Sequence, residues 1–154
     1  MSEFTKTVIV DPTETGYPHT IQDGINEIWD PPTVTACGVV IVEQGVYEIS
    51  SESDIVKIPS NVTLIGRGNV IVKINGDFTA FQNFDQANGN SRIRISGFKI
   101  VVGEAAQQPY NSDVIYMKNV SDSIIEKLTI TSEEGEYAKG IYPVSYTHLT
   151  LPTN

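Results

Sequence analysis

The stretch Ile93-Arg94-Ile95-Ser96-Gly97-Phe98-Lys99-Ile100 returns later in the chain as Ser123-Ile124-Ile125-Glu126-Lys127-Leu128-Thr129-Ile130. Both copies read as two inward positions, a two-residue corner and two more inward positions. Ile95, Phe98 and Ile100 recur as Ile125, Leu128 and Ile130, each 30 residues on. Val62-Thr63-Leu64 opens an earlier, less regular copy, with Leu64 31 residues ahead of Ile95. Phe78–Phe84, Asp113–Lys118 and Gly140–Tyr142 supply a further strand per repeat. A fixed period of roughly 20–50 residues with several short strands per unit marks a solenoid. One turn cannot bury its own inward side chains; the next turn, about 4.8 Å away, pairs its backbone and covers them. The spacing predicts aliphatic stacks, Ile95 on Ile125 and Ile100 on Ile130. A β-sandwich is the alternative, but its strands fall about 8–12 residues apart, and hairpin order does not return one corner at a constant offset.

Outward from this repeat, everything after Gly38 reads as strand and turn. Val39-Val40-Ile41-Val42 is a run buried on both faces, Tyr47/Ile49 alternate, and Val70/Val72/Ile74 alternate again. Period-2 spacing places such residues on one face of a strand. Upstream, Thr7-Val8-Ile9-Val10 is a short strand ended by Asp11-Pro12. One helix follows: Ile21, Ile25, Ile28 and Trp29 share a face, Thr20 stands at the N-cap, and Asp23 adds a carboxylate to the first turn. Asp30-Pro31-Pro32 stops it, since proline cannot continue the hydrogen-bond ladder.

Bulk composition narrows the function classes. The chain has 154 residues, 40% of them apolar, which suits one folded domain with a real core. Its apolar runs fall far short of the roughly 20 residues of a membrane helix, and Met1-Ser2-Glu3-Phe4-Thr5-Lys6 carries no secretory signal pattern. A formal charge of −9 argues against nucleic acid and anionic membranes as partners. The single Cys37 excludes an internal disulfide and reads as a small buried apolar residue.

Three stretches carry a family resemblance. Thr7-Val8-Ile9-Val10-Asp11-Pro12 with Thr20-Ile21-Gln22-Asp23-Gly24-Ile25 resembles the strand and capping helix that open pectate lyase-like β-helices. Gly45-Val46-Tyr47-Glu48-Ile49 with Ile58-Pro59-Ser60-Asn61-Val62-Thr63-Leu64-Ile65-Gly66-Arg67-Gly68 resembles their first coil, and Ser121–Ile130 their later coils. The likeness covers residues 5–142. It implies an all-β, right-handed parallel β-helix with an N-terminal capping helix, truncated after roughly three to four coils. Lyases, hydrolases, esterases, epimerases and phage tailspikes share that fold, so the likeness specifies fold more than chemistry. The expected function is that of a polysaccharide-active protein, a lyase or glycoside hydrolase, with calcium implied for the full-length molecule and the fragment inactive. A non-catalytic tailspike, adhesin or structural repeat is the alternative, a trimer in the tailspike case.

Residues 1–143 are therefore expected to form the cap and first coils. Residues 144–154, from Val144-Ser145-Tyr146-Thr147-His148-Leu149-Thr150, continue none of the repeat and resemble translated sequencing-adapter read-through, a non-native or disordered tail.

Polysaccharide cleavage calls for paired carboxylates, or calcium with a base. Asp77, Asp85, Asp113, Asp122 and Glu126 fall in or beside turns, and Glu133, Glu134 and Glu136 crowd one loop. None forms the family's catalytic constellation, so no catalytic, cofactor-binding or metal residue is assigned. Tyr47, Tyr110, Tyr116, Tyr137 and Tyr142 are candidate sugar-stacking rings, each more economically read as a packed strand or loop aromatic. Gly66-Arg67-Gly68 fails as a phosphate loop, because Ile71 takes the third glycine position and a strand follows. His19 and His148 are too isolated for zinc. Asn61-Val62-Thr63 and Asn119-Val120-Ser121 match the glycosylation pattern. Asn61, Asn90 and Asn119 are evenly spaced, but their offsets from Leu64, Ile95 and Ile125 differ, which argues against an asparagine ladder.

Overall fold

The computed structural model describes residues 5–28, 37–103, 114–132 and 141–150. In chain order these form β1 (Thr5–Val10), α1 (Ile21–Ile28), β2 (Cys37–Ile49), β3 (Val56–Ile58), β4 (Val62–Ile74), β5 (Phe81–Asn83), β6 (Asn90–Ser91), β7 (Arg94–Val102), β8 (Ile115–Ser132) and β9 (Ile141–Thr150). A 3-10 turn, Glu52–Asp54, precedes β3. Every pairing is parallel. The described residues thus form an all-β, parallel, solenoid-like sheet with one α-helix.

Two parallel stacks run side by side. One lays β1, β2, β4, β7 and the latter half of β8 in order. The other lays β3, β5, the start of β8 and β9. The predicted stacks are present: Ile95 pairs Ile125, Ile100 pairs Ile130, and Leu64 pairs Ile95. Val8, Val40, Leu64, Ile95 and Ile125 hold one register position in five successive strands, and none is more than 5% exposed. Burying each such side chain stabilises by about 1.5–3 kcal/mol. The two stacks meet inside, where Phe81 of β5 packs edge-on against Phe98 of β7 with ring centroids 5.2 Å apart.

The strands are longer than their sequence pattern predicts: β2 and β4 each run 13 residues through a corner. The corners are irregularities in a continuous ladder, between Glu43 and Gly45 in β2 and between Ile65 and Ile71 in β4. Backbone conformation explains this. Gly68 and Gly97 turn the chain at φ +81° and +86°, and a Cβ on Gly97 would stand 2.6 Å from the Gly66 carbonyl oxygen of the neighbouring strand. Only glycine tolerates both demands. At the opposite corner Asn61, Arg92 and Asp122 take φ of 67°, 56° and 50°. Asn61 N–H donates to Ser91 O at 3.0 Å and Arg92 N–H to Ser121 O at 3.1 Å, so the bends stack as the strands do. Asn61 therefore stacks over Arg92, while Asn90 pairs Val120. Asn61, Asn90 and Asn119 form no ladder.

Helix α1 covers the β1 end. Ile21, Gly24, Ile25 and Ile28 are buried, the helix lies against β1, β2 and β3, and Asp23 N–H donates to the Thr20 hydroxyl at 3.1 Å as the N-cap spacing predicts. A covered end is what a solenoid needs, since an open parallel edge invites pairing with other chains. Trp29 and Asp30-Pro31-Pro32 lie outside the described residues.

Two expectations shift in the structure. The run Val39–Val42 is buried on one face only: Val40 and Val42 point inward, while Val39 and Ile41 are half-exposed, because the sheet's outer surface over β2 carries no described layer. Cys37, expected in the core, is half-buried at the head of β2. The backbone of β9 pairs β8 from Ile115↔Ile141 to Ile124↔Thr150.

Candidate functional site

A cleft of about 360 Å³ lies beside the cap. Its walls come from three places close in sequence. The N-terminus of α1 brings His19, Thr20, Ile21, Gln22 and Asp23; the end of β2 brings Val46, Tyr47, Glu48 and Ile49; the 3-10 turn brings Ser53 and Asp54. Strand alternation decides what each contributes: Tyr47 and Ile49 point into the core, and Val46 and Glu48 point out.

Hydrogen bonds brace these walls. Lys57 N–H donates to Gln22 Oε1 at 2.7 Å, tying the helix to β3. Asp54 Oδ2 accepts from Ser50 N–H at 3.0 Å and from the Ser51 hydroxyl at 3.1 Å, which closes the turn. Glu48 Oε1 accepts from Asn75 Nδ2 at 3.3 Å, and His19 Nε2 lies 3.1 Å from Glu14 O. Tyr47 donates its hydroxyl to Glu43 O at 2.8 Å. Burial, then the charges of Asp11 and Glu43, push that phenol up to about 12, so it acts as a neutral donor at any physiological pH. The cleft thus presents carboxylates and hydroxyls around aliphatic surface, a lining that accepts hydrogen bonds from a polyhydroxylated ligand and packs on its C–H faces.

The carboxylates singled out in the sequence do not converge. Glu126 forms an ion pair with Arg94 on the outer sheet face, as Glu43 does with Arg67. Asp85 closes its own turn, accepting Asn88 N–H at 3.0 Å and Asn88 Nδ2 at 3.3 Å. Those bonds from Asn88 hold its carboxyl below the usual carboxylate range. Asp122 sits at a left-handed corner, and Asp77 follows the Gly76 bend. Among the described residues no three His, Cys, Asp or Glu side chains assemble into a group that could hold a metal ion. Asp113, Glu133, Glu134, Glu136, Tyr110 and Tyr137 lie outside the described residues, as do the side chains of Tyr142 and His148. Tyr47 is packed inward, and Tyr116 is half-buried on β8.

Sequence reasoning missed Glu48, Ser53 and Asp54. Glu48 had a signal, its outward place between inward Tyr47 and Ile49. Ser53 and Asp54 had none, because the 3-10 turn reaches the cleft only through tertiary placement. Among the described residues no helix is long and apolar enough to cross a membrane. Comparison of the chain with protein-family models, with curated proteins and with solved structures finds no match.

Proposed function

We propose that this chain is the N-terminal part of a right-handed parallel β-helix that acts on polysaccharide, as a lyase or glycoside hydrolase. The observation that carries the reading is the cleft, where Asp23, Glu48, Asp54, Ser53 and Thr20 share the lining with the exposed apolar side chain of Val46. Sugars bind through hydroxyl donors to carboxylates and through C–H faces against apolar surface, which is the combination present. The resemblance of residues 5–142 to pectate lyase-like coils supports the same reading, and stacked turns supply the long face along which a linear polymer lies. Charge favours a neutral glycan here. An acidic one would meet three carboxylates in the cleft and a chain charge of −9, with repulsion relieved only by a bridging cation.

The experiment is a glycan array probed with the labelled chain, followed by product analysis on any bound glycan with and without calcium. Binding of a neutral plant-type glycan, lost in Glu48→Ala and Asp54→Ala variants, is expected. No binding across the array removes the polysaccharide reading.

The non-catalytic β-helix is the second reading, favoured by the outer face. Its charged side chains at Glu43, Arg67, Arg94 and Glu126 are engaged with one another across strands, as in a face built for shape rather than turnover. A trimer by light scattering supports the tailspike form of that reading, and a monomer counts against it.

A further inference from the structure

We propose that Asn75 is a site of spontaneous deamidation, and that the fold holds the second Asn-Gly pair, Asn88-Gly89, out of the same reaction. Both pairs place glycine after asparagine, where the absence of a Cβ lets the glycine nitrogen reach the asparagine side chain. The glycine amide gives up its proton to water and attacks Cγ. The Cγ–Nδ2 bond breaks, ammonia leaves carrying a proton from water, and a succinimide remains. Water then opens either carbonyl to give aspartate or isoaspartate. Water is the sole co-reactant, and nothing is oxidised or reduced.

The attacking nitrogen is held at one site and not at the other. Gly89 N–H donates to Asp85 O at 2.8 Å, and Asn88 gives both its N–H and its Nδ2 to the Asp85 carboxylate. Gly89 is also pressed against the next turn, where a Cβ would lie 2.2 Å from Asn119 O. Three hydrogen bonds and a backbone contact must open before Asn88 reacts. At Asn75 the ladder ends one residue earlier: Asn75 N–H donates to Ile49 O at 2.8 Å, and among the described residues no hydrogen bond holds the Gly76 N–H. Among the described residues the Asn75 carboxamide is restrained only by exposed bonds from Nδ2, at 3.3 Å to Glu48 Oε1 and 3.1 Å to the Ser50 hydroxyl. Exposure alone ranks the sites the other way, since Asn88 is exposed and Asn75 half-buried. The two accounts therefore predict opposite orders. Modification at Asn75 has a local consequence: it sets a carboxylate against Glu48, which lines the cleft, and breaks the bond between them.

The test is incubation of the full chain in mildly alkaline buffer, folded and in denaturant, with isoaspartate-resolved mass spectrometry after cleavage at aspartate. Asp77 and Asp85 put the two asparagines on separate peptides. In denaturant both convert at similar rates. Folding should slow Asn88 by roughly tenfold more than Asn75, the factor that one or two net hydrogen bonds impose on local opening. Equal protection of both, or faster reaction at Asn88, overturns the proposal. The Asp85→Ala variant, with its fold checked by circular dichroism, should speed Asn88 and leave Asn75 unchanged; an unchanged Asn88 counts against the clamp.

Discussion

The inward aliphatic stack and the polar corner beside it hold successive parallel strands together by different means. In the stack, Leu64, Ile95 and Ile125 lie above one another within the hydrophobic core. Burial of this kind is strong and non-directional. Hydrogen bonds fill the corner. Asn83, fully buried, donates Nδ2 to Lys118 O at 2.8 Å and accepts from Lys118 N–H at 2.8 Å. The Ser60 hydroxyl accepts from Ser91 N–H at 3.0 Å and from Asn90 Nδ2 at 3.2 Å. Among the described residues no buried side-chain N or O is left without a partner. The stack supplies most of the stabilisation, and the corner fixes which residue faces which. A slip of one position would turn every inward side chain outward, and it would also leave the buried amide of Asn83 unpaired.

This division can be broken at several points. Ile95→Ala, at the centre of the stack, should cost about 2–5 kcal/mol through lost burial and the cavity left behind, read as a shift of the urea midpoint. A loss under about 1 kcal/mol, in the range of an ordinary exposed site, would show that the stack is not the main support. Asn83→Ala should cost about 1–3 kcal/mol, because the part-buried Lys118 N–H and carbonyl lose their partner. Unchanged unfolding with unchanged amide exchange at Lys118 would sink the idea that the corner specifies register. Gly24→Ala tests the cap: its Cβ would sit 2.4 Å from Val10 Cγ2, an overpacking cost of about 1–3 kcal/mol, offset by up to about 1 kcal/mol of helix propensity. A stabilised variant would mean that the helix rides loosely on β1.

Two smaller effects sharpen the comparison. The Tyr47 phenol, raised to about 12 in the folded chain from 10.0, favours the folded state fully below the unfolded value. That preference is lost as pH climbs from about 10 toward 12, because the unfolded chain ionises first. Tyr47→Phe should flatten this part of the stability profile, seen in thermal melts across alkaline pH; an identical slope would remove the assignment. Smallest of all, Arg94→Ala should change stability by at most about 1 kcal/mol, since its ion pair with Glu126 is largely solvated. A larger loss would move weight from the inside of the sheet to its outer face.

How much was legible follows the same physical line. Ile95/Ile125 and Ile100/Ile130 could be paired from sequence because burial repeats at a fixed offset and leaves its period in the residue types. The capping helix was legible from the spacing of Ile21, Ile25 and Ile28 with Thr20 ahead of them. The candidate site was not. The carboxylates beside the turns, Asp85 and Glu126 among them, turned out to serve a turn and an ion pair, because charged residues at corners satisfy local backbone or a cross-strand partner first.

By itself, then, the sequence determined a parallel, stacked, all-β chain with one covered end, since the alternation and the 30-residue recurrence state where apolar side chains must go. Only the tertiary structure decided that the corners are bends within continuous strands, that Asn61 stacks on Arg92 and not on Asn90, and that Asp23, Glu48 and Asp54 line one cleft. The reason is range. Periodicity records the one-dimensional demand of burial, whereas a cleft depends on the angle at which a helix, a strand end and a turn meet, and no local pattern encodes that angle.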